Sequence, residues 1–280
     1  MSARAKMAIA ADGGAFNDGG DDRSSASLLQ MSGAGMKFNY KNAQFDYEPY
    51  PICYIPNFLP ADDYKALSES YPSLDLFRFM LNLGNKYSLA QVNNQKQYYK
   101  FLNSNQKWKE FYDTVKSKIY VDELLDFLKS RDIDLGFKDF KYISKMKKYR
   151  GLISRLADRD EIGSRFEFSV MKANGGHILP HTDGPKKYIT VVLSMIQPDE
   201  WQPAWGGGTD VVLPKRREKI YNFVNKQSRF EDMEVIKTFP FVPNQAVIFI
   251  KTYNSWHSVL PMTGPESANR KTLTINIEGI

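Results

Sequence analysis

The chain has 280 residues, 42% of them hydrophobic and 25% charged, with a formal net charge of +6 and a single cysteine, Cys53. That is length for one large domain or two small ones, with the composition of a soluble globular protein and no possible internal disulfide, which favours a reducing compartment. The charge is compatible with acidic partners and demands none.

The first residues, 1 to about 36, are rich in Gly, Ala, Ser and Asp and nearly free of large apolar side chains. Too little apolar surface is available there to offset ordering entropy, so a disordered tail is expected. Its only apolar run, "MAIAA", is too short for a signal-peptide core and is followed by Asp12, Asp18, Asp21 and Asp22. No run reaches bilayer length, so a cytoplasmic location without membrane association is expected.

A single ordered domain is expected over 37–280, helical to about residue 160 and β-rich from about 161. "ICYIPNF" reads as a strand, and "PADDYKALSES" as a helix with Pro60 in its first turn and Asp62 and Asp63 at the positive end of its dipole. From Gln106 to Ser130, Trp108, Phe111, Tyr112, Val115, Ile119, Leu124, Leu125 and Leu128 recur mostly every three or four residues. That stripe predicts one long amphipathic helix whose aromatics are core.

Beyond Arg165 the pattern changes. "RFEFSVMK", "YITVVLSMI", "GTDVVLP", "EVIKTFPFV", "AVIFIK", "WHSVLP" and "RKTLTINI" are short, β-branched or aromatic, and separated by Gly, Pro and Asn. Such a series predicts an α+β fold with a double-stranded β-helix (jelly roll) core and the N-terminal helices on one outer face.

Three histidines are present, two of them in "GGHILPHTDG". In extended backbone His181 and Asp183 point to one face and can share an ion. His257, on a late strand, supplies a third ligand, and two histidines with one carboxylate leave the open positions of a non-haem Fe(II) site. Taken alone, His-x-Asp reads more readily as a surface turn than as a metal site, and the surrounding residues carry the metal reading. His177 stands four residues before His181, but Pro180 and the Gly175-Gly176 pair oppose a helical metal pair, so His177 is expected not to bind.

In "RKTLTINI", Arg270, Thr272, Thr274 and Asn276 alternate with Lys271, Leu273, Ile275 and Ile277. The polar side either faces solvent or lines an enclosed site where Arg270 clamps a carboxylate and Thr272 assists. Tyr188, Thr190 and Ser194 form a weaker polar face on "YITVVLSMI". The basic segments 141–159 and 214–219 carry no zinc-finger or RNA-binding signature. They read as solvated loops, with nucleic acid a disfavoured partner.

Together, "HTD", His257 and Arg270 with Thr272 resemble the His-x-Asp…His…Arg-x-Ser/Thr pattern of the Fe(II)/2-oxoglutarate-dependent oxygenases, in particular the prolyl-hydroxylase-like branch. "WGGGTDVVL", "VPNQAVIF" and "YPICYIPNFLPADDYKAL" resemble further parts of that family, so the likeness runs from about Pro49 to Ile280. It implies that His181, Asp183 and His257 bind iron and that Arg270 and Thr272 bind 2-oxoglutarate, with Tyr188 and Ser194 as further cofactor-binding candidates. Implied too are dioxygen, a small-molecule or peptidyl substrate, hydroxylation with release of succinate and carbon dioxide, and support by ascorbate. The chain departs from prolyl hydroxylases at Met171-Lys172, where they usually carry tyrosine, and in a longer spacing from His257 to Arg270. Asp183 disfavours a halogenase, and Asn276 disfavours the nucleic-acid alkyl-repair branch. The alternative is a jelly-roll protein with a degenerate metal site that binds a sugar or peptide.

Overall fold

The computed structural model describes residues 35–81, 86–137, 139–144 and 161–280. The expected tail and most of the basic segment 141–159 lie outside the described residues. Met36 is already attached to the domain, its backbone N–H donating to Thr114 Oγ1 at 3.2 Å.

The N-terminal half supplies β1 (Gln44–Asp46), β2 (Ile52–Pro56), α1 (Ala61–Glu69), β3 (Arg78–Met80), β4 (Lys86–Ala90), α2 (Gln95–Ser104), α3 (Gln106–Val115), α4 (Lys118–Lys129) and β5 (Lys141–Tyr142). The single helix expected over 106–130 is therefore two. Lys116 closes α3, and the Ser117 side chain accepts from Tyr120 N to start α4. An N-cap serine satisfies a donor that a continuous helix would have paired internally, so the break is written at Ser117. Ile119 falls off the buried stripe and is exposed. Helix α2, missed in the sequence, buries only Tyr98 and Leu102, too sparse a pattern to register.

The C-terminal half follows as β6 (Glu161–Lys172), β7 (Ile178–His181), β8 (Lys187–Ser194), β9 (Thr209–Pro214), β10 (Met233–Phe239), β11 (Gln245–Ile250), β12 (His257–Val259) and β13 (Asn269–Gly279). These strands are shared between two sheets, β6, β8, β11 and β13 in the larger and β7, β9, β10 and β12 in the smaller. In the larger, the order is β1-β2-β11-β8-β13-β6-β4-β3 with β5 beside β6; in the smaller it is β10-β9-β12-β7. Chain order folded across two facing sheets in this way is a double-stranded β-helix.

Period-two patterning explains which way the larger sheet faces. Leu273, Ile275 and Ile277 of β13, with Ile189, Val191 and Leu193 of β8 and Phe166 and Phe168 of β6, join Tyr98, Trp108, Phe111, Tyr120 and Leu124 of the helices in one core. The helices thus cover the outer face. The opposite face looks toward the smaller sheet. There, one apolar cluster holds Tyr50, Ile52, Val211, Phe239, Val247 and Phe249, and another holds Met171, Trp201, Phe241, Val259 and Met262. Among the described residues, no helix is long and apolar enough to cross a membrane.

Candidate metal centre

Strands β7 and β12 pair antiparallel, and His181 is the direct cross-strand partner of His257. Their ring centroids are 4.4 Å apart, and the Phe249 ring stacks on His257 at 4.3 Å. Asp183 follows just past the end of β7. Ligand atoms of His181, Asp183 and His257 all lie within 4.8 Å of one another, near enough to converge on one ion.

Hydrogen bonds fix how each group is presented. His181 Nδ1 lies 2.9 Å from the Leu179 carbonyl oxygen, and His257 Nδ1 lies 3.0 Å from that of Ser255. A carbonyl can only accept, so each ring carries its proton on Nδ1 and keeps Nε2 bare, the form a metal requires. Burial pushes His181 down to about 3, with the neighbouring His257 acting the same way, and burial also lowers His257. Both imidazoles are neutral at physiological pH. Asp183 is also buried, which by itself would raise its carboxyl; Lys187, joined by the two imidazoles once they are protonated at low pH, overcomes that and holds it well below the usual carboxylate range. Lys187 Nζ donates to Asp183 Oδ1 at 2.8 Å and Thr190 Oγ1 to Oδ2 at 2.7 Å. Two neutral imidazoles and one ionised carboxylate are a donor set suited to a divalent cation, and the three side chains fit the implied iron.

The three side chains open into a cavity of about 650 Å³ that Arg270, Thr272 and Thr274 also line. Arg270 is only 3% exposed. Its Nε donates to the Gly207 carbonyl oxygen at 2.6 Å and its guanidinium lies 4.5 Å from the Phe241 ring centre, which leaves the terminal nitrogens for a ligand. Burial lowers Arg270 to about 10, against the opposing pull of Asp210, so it stays charged at neutral pH. Gly207 has φ +81, and a Cβ there would come within 2.8 Å of Trp201 and 3.1 Å of Met262. Only glycine lets the backbone reach Arg270 in this way.

The structure therefore gathers His181, Asp183, His257, Arg270 and Thr272 around one cavity, with the polar face of β13 enclosed. Tyr188 and Ser194 are not among the residues that line it. The Tyr188 ring packs on Phe137 at 4.9 Å, and the Ser194 hydroxyl donates to the Val242 carbonyl. Near Tyr188 the β13–β8 register shifts between Ile277 and Glu278, so simple alternation fails at that end. His177 stays apart, its Nδ1 2.9 Å from Gly175 O and its ring 5.8 Å from that of Phe230. Glycine is required beside it, because Gly175 has φ +76 and a Cβ on Gly176 would meet Lys172 O at 2.2 Å. Sequence reasoning missed Lys187 as a partner of Asp183, and missed the Lys86–Glu167 ion pair on the cavity wall. Only the four-residue offset from Asp183 to Lys187 was available as a signal.

Residues 166–278 match the family model of the 2OG-Fe(II) oxygenase superfamily. This region belongs to the 2OG-Fe(II) oxygenase superfamily. Fe(II) and 2-oxoglutarate are the cofactors of that superfamily. Among solved structures, the chain is similar to a prolyl-4-hydroxylase from Pseudomonas putida, at 15% identity over 82% of this chain and 92% of the other, with a TM-score of 0.44. It is similar to a 2OG-Fe(II) oxygenase family oxidoreductase from Burkholderia pseudomallei, at 12% identity, 81% and 84% coverage and a TM-score of 0.43. HygX from Streptomyces hygroscopicus, solved with nickel and 2-oxoglutarate bound, is similar at 8% identity, 81% and 82% coverage and a TM-score of 0.43. No curated protein matches the chain.

Proposed function

We propose that the chain is an Fe(II)- and 2-oxoglutarate-dependent hydroxylase that oxidises a C–H bond of its substrate and releases succinate and carbon dioxide. The observation that carries this reading is the convergence of His181, Asp183, His257 and Arg270 on one cavity. When bound, Fe(II) and 2-oxoglutarate supply the activation of dioxygen on which the oxidation depends.

In this reading His181 Nε2, His257 Nε2 and an Asp183 oxygen hold the metal. The Leu179 and Ser255 carbonyls keep the two rings in the required tautomer, and Lys187 and Thr190 orient the carboxylate. Arg270 receives the far carboxylate of 2-oxoglutarate through its terminal nitrogens. Gly207 and Phe241 fix the guanidinium plane, and the Thr272 hydroxyl stands two residues along the same face. Met171, Val192 and Phe249 supply apolar wall, which excludes water around the reacting atoms. Cytoplasmic residence, dioxygen as co-substrate and ascorbate support belong to the same reading.

Arg270 separates a 2-oxoglutarate enzyme from a generic metal protein. Truncating one partner of an enclosed guanidinium–carboxylate pair costs roughly 2–5 kcal/mol, well over tenfold in affinity. Arg270→Ala is expected to lose that affinity while retaining Fe(II), and Arg270→Lys to recover part of it, since lysine keeps the charge without the fork. Anaerobic calorimetric titration of the Fe(II) protein with 2-oxoglutarate measures this, alongside succinate release in the presence of ascorbate. Equal affinity in wild type and Arg270→Ala would overturn the cofactor assignment. A wild type that binds neither Fe(II) nor 2-oxoglutarate would leave the jelly-roll binding protein as the surviving reading.

A further inference from the structure

The connection between β9 and β10 leaves large apolar side chains in solvent. Tyr221 is 62% exposed, Phe223 63% and Val224 80%, and Tyr253 beside them is 50% exposed. The Phe223 and Tyr253 ring centres are 4.6 Å apart, and those of Tyr221 and Phe223 are 6.2 Å apart. Clustered exposed rings of this size mark a surface that docks a partner.

The patch adjoins the metal cavity. Asn225 and Gln227, from the same connection, line that cavity, while Gln227 also faces an adjacent hollow of about 630 Å³ walled by Tyr221, Phe223 and Trp256. Three hydrogen bonds tie the connection to chain neighbours of the metal-site residues. Ser228 N donates to Pro180 O at 2.8 Å, Thr182 Oγ1 to Asn222 O at 3.5 Å, and Trp256 Nε1 to Ile220 O at 2.7 Å. Pro180, Thr182 and Trp256 each directly adjoin His181, Asp183 or His257.

Charge selects the kind of partner. Arg216, Arg217 and Arg229 each face a carboxylate, at 2.7 Å from Glu218, 3.8 Å from Glu234 and 3.3 Å from Glu231. Lys219 and Lys226 have no ion-pair partner among the described residues, and the Lys251 ammonium sits 5.4 Å from the Tyr253 ring centre. A phosphate backbone needs a run of uncompensated cations. Here acids interrupt the cations and apolar rings dominate, which suits a polypeptide with apolar anchors and a few carboxylates.

Resting on the oxygenase reading, we propose that the β9–β10 connection docks an acidic polypeptide segment and delivers one of its residues to the metal cavity. Apolar side chains of the segment pack on Tyr221, Phe223 and Tyr253. Its carboxylates meet Lys219, Lys226 and Lys251.

The test uses the full chain with Fe(II) and 2-oxoglutarate, without oxygen. Fluorescence anisotropy compares three labelled probes: synthetic peptides alternating Phe or Leu with Asp or Glu, matched peptides with Lys or Arg replacing the acids, and an oligothymidylate of similar length. The acidic peptides are expected to bind tightest. The exposed pair Phe223→Ser with Val224→Ser is expected to weaken them by about tenfold or more, with melting temperature and 2-oxoglutarate affinity unchanged. Lys219→Glu with Lys226→Glu should reverse the preference toward the basic peptides. Tighter binding of oligothymidylate, equal binding of the two peptide sets, or wild-type peptide affinity in Phe223→Ser/Val224→Ser would each overturn the proposal. A chain that binds the acidic peptides but not 2-oxoglutarate keeps the docking surface and removes the oxygenase reading; the converse removes the docking surface alone.

Discussion

At the scale of the residue, a bare Nε2 is common to all three histidines. His181 and His257 each give Nδ1 to a carbonyl two residues earlier in the chain. His177 does the same toward Gly175, yet it lies beside Phe230 and outside the cluster. Tautomer alone is therefore insufficient; convergence decides. His181→Ala, Asp183→Ala or His257→Ala should each abolish stoichiometric Fe(II) binding, whereas His177→Ala should retain it, as read by metal analysis after anaerobic desalting. Loss of iron in His177→Ala with retention in His257→Ala would reverse the assignment. Much of this was legible in the sequence, because His-x-Asp in extended chain faces one way. Lys187 and Thr190 were not legible as partners of Asp183, since the turn and sheet closure that bring them to its carboxylate leave no periodic trace. Tyr188 misled for a related reason: alternation assumes an unbroken ladder, and the register shifts beside it.

At the scale of the element, the strands were easier to read than the helices. Strand β13 alternates so strictly that both of its faces follow from the sequence, one to the helix-covered core and one to the cavity. The helical half misleads because an apolar stripe runs across a break: Val115 ends α3, and Tyr120 and Val121 resume the buried face in α4. Ser117 decides that break through its hydroxyl, which accepts from Tyr120 N at 3.1 Å. Ser117→Ala should cost about 1 kcal/mol of stability, with Ser117→Asp close to wild type, because an aspartate can cap the same N–H. Urea midpoints at constant m-value measure the difference. An unchanged midpoint in Ser117→Ala would mean that the break does not depend on the cap.

At the scale of the whole molecule, stability carries a pH signature from a lysine in the wrong solvent. Lys116 is buried between the helices and β6, its ammonium donating to the Ser164 carbonyl. Burial lowers it to about 8, against the pull of Glu278. The unfolded chain binds this proton more tightly than the folded one, so the folded state is penalised at low pH and relieved as pH rises from about 8 toward the ordinary lysine value. A shift of that size corresponds to roughly 3 kcal/mol. Lys116→Met should therefore be more stable than wild type at pH 7, with the gap narrowing between pH 8 and pH 10. Paired denaturant titrations across that range provide the check, and a gap independent of pH would show that the ammonium is solvated in the folded protein.

The pairing of His181 with His257 also bears on when the site can exist during folding. The two residues are neighbours only because β12 lies on β7, and Arg270 reaches the cavity only once β13 is seated between β6 and β8. Every such contact closes a long loop, so the entropy of closure is met before any ligand can repay it, and architectures of this kind assemble slowly. A partly folded chain offers at most the isolated His-x-Asp pair as a weak chelate. In the proposed reading iron then acts as a latch rather than a template, binding the finished fold and holding it by mass action against reopening.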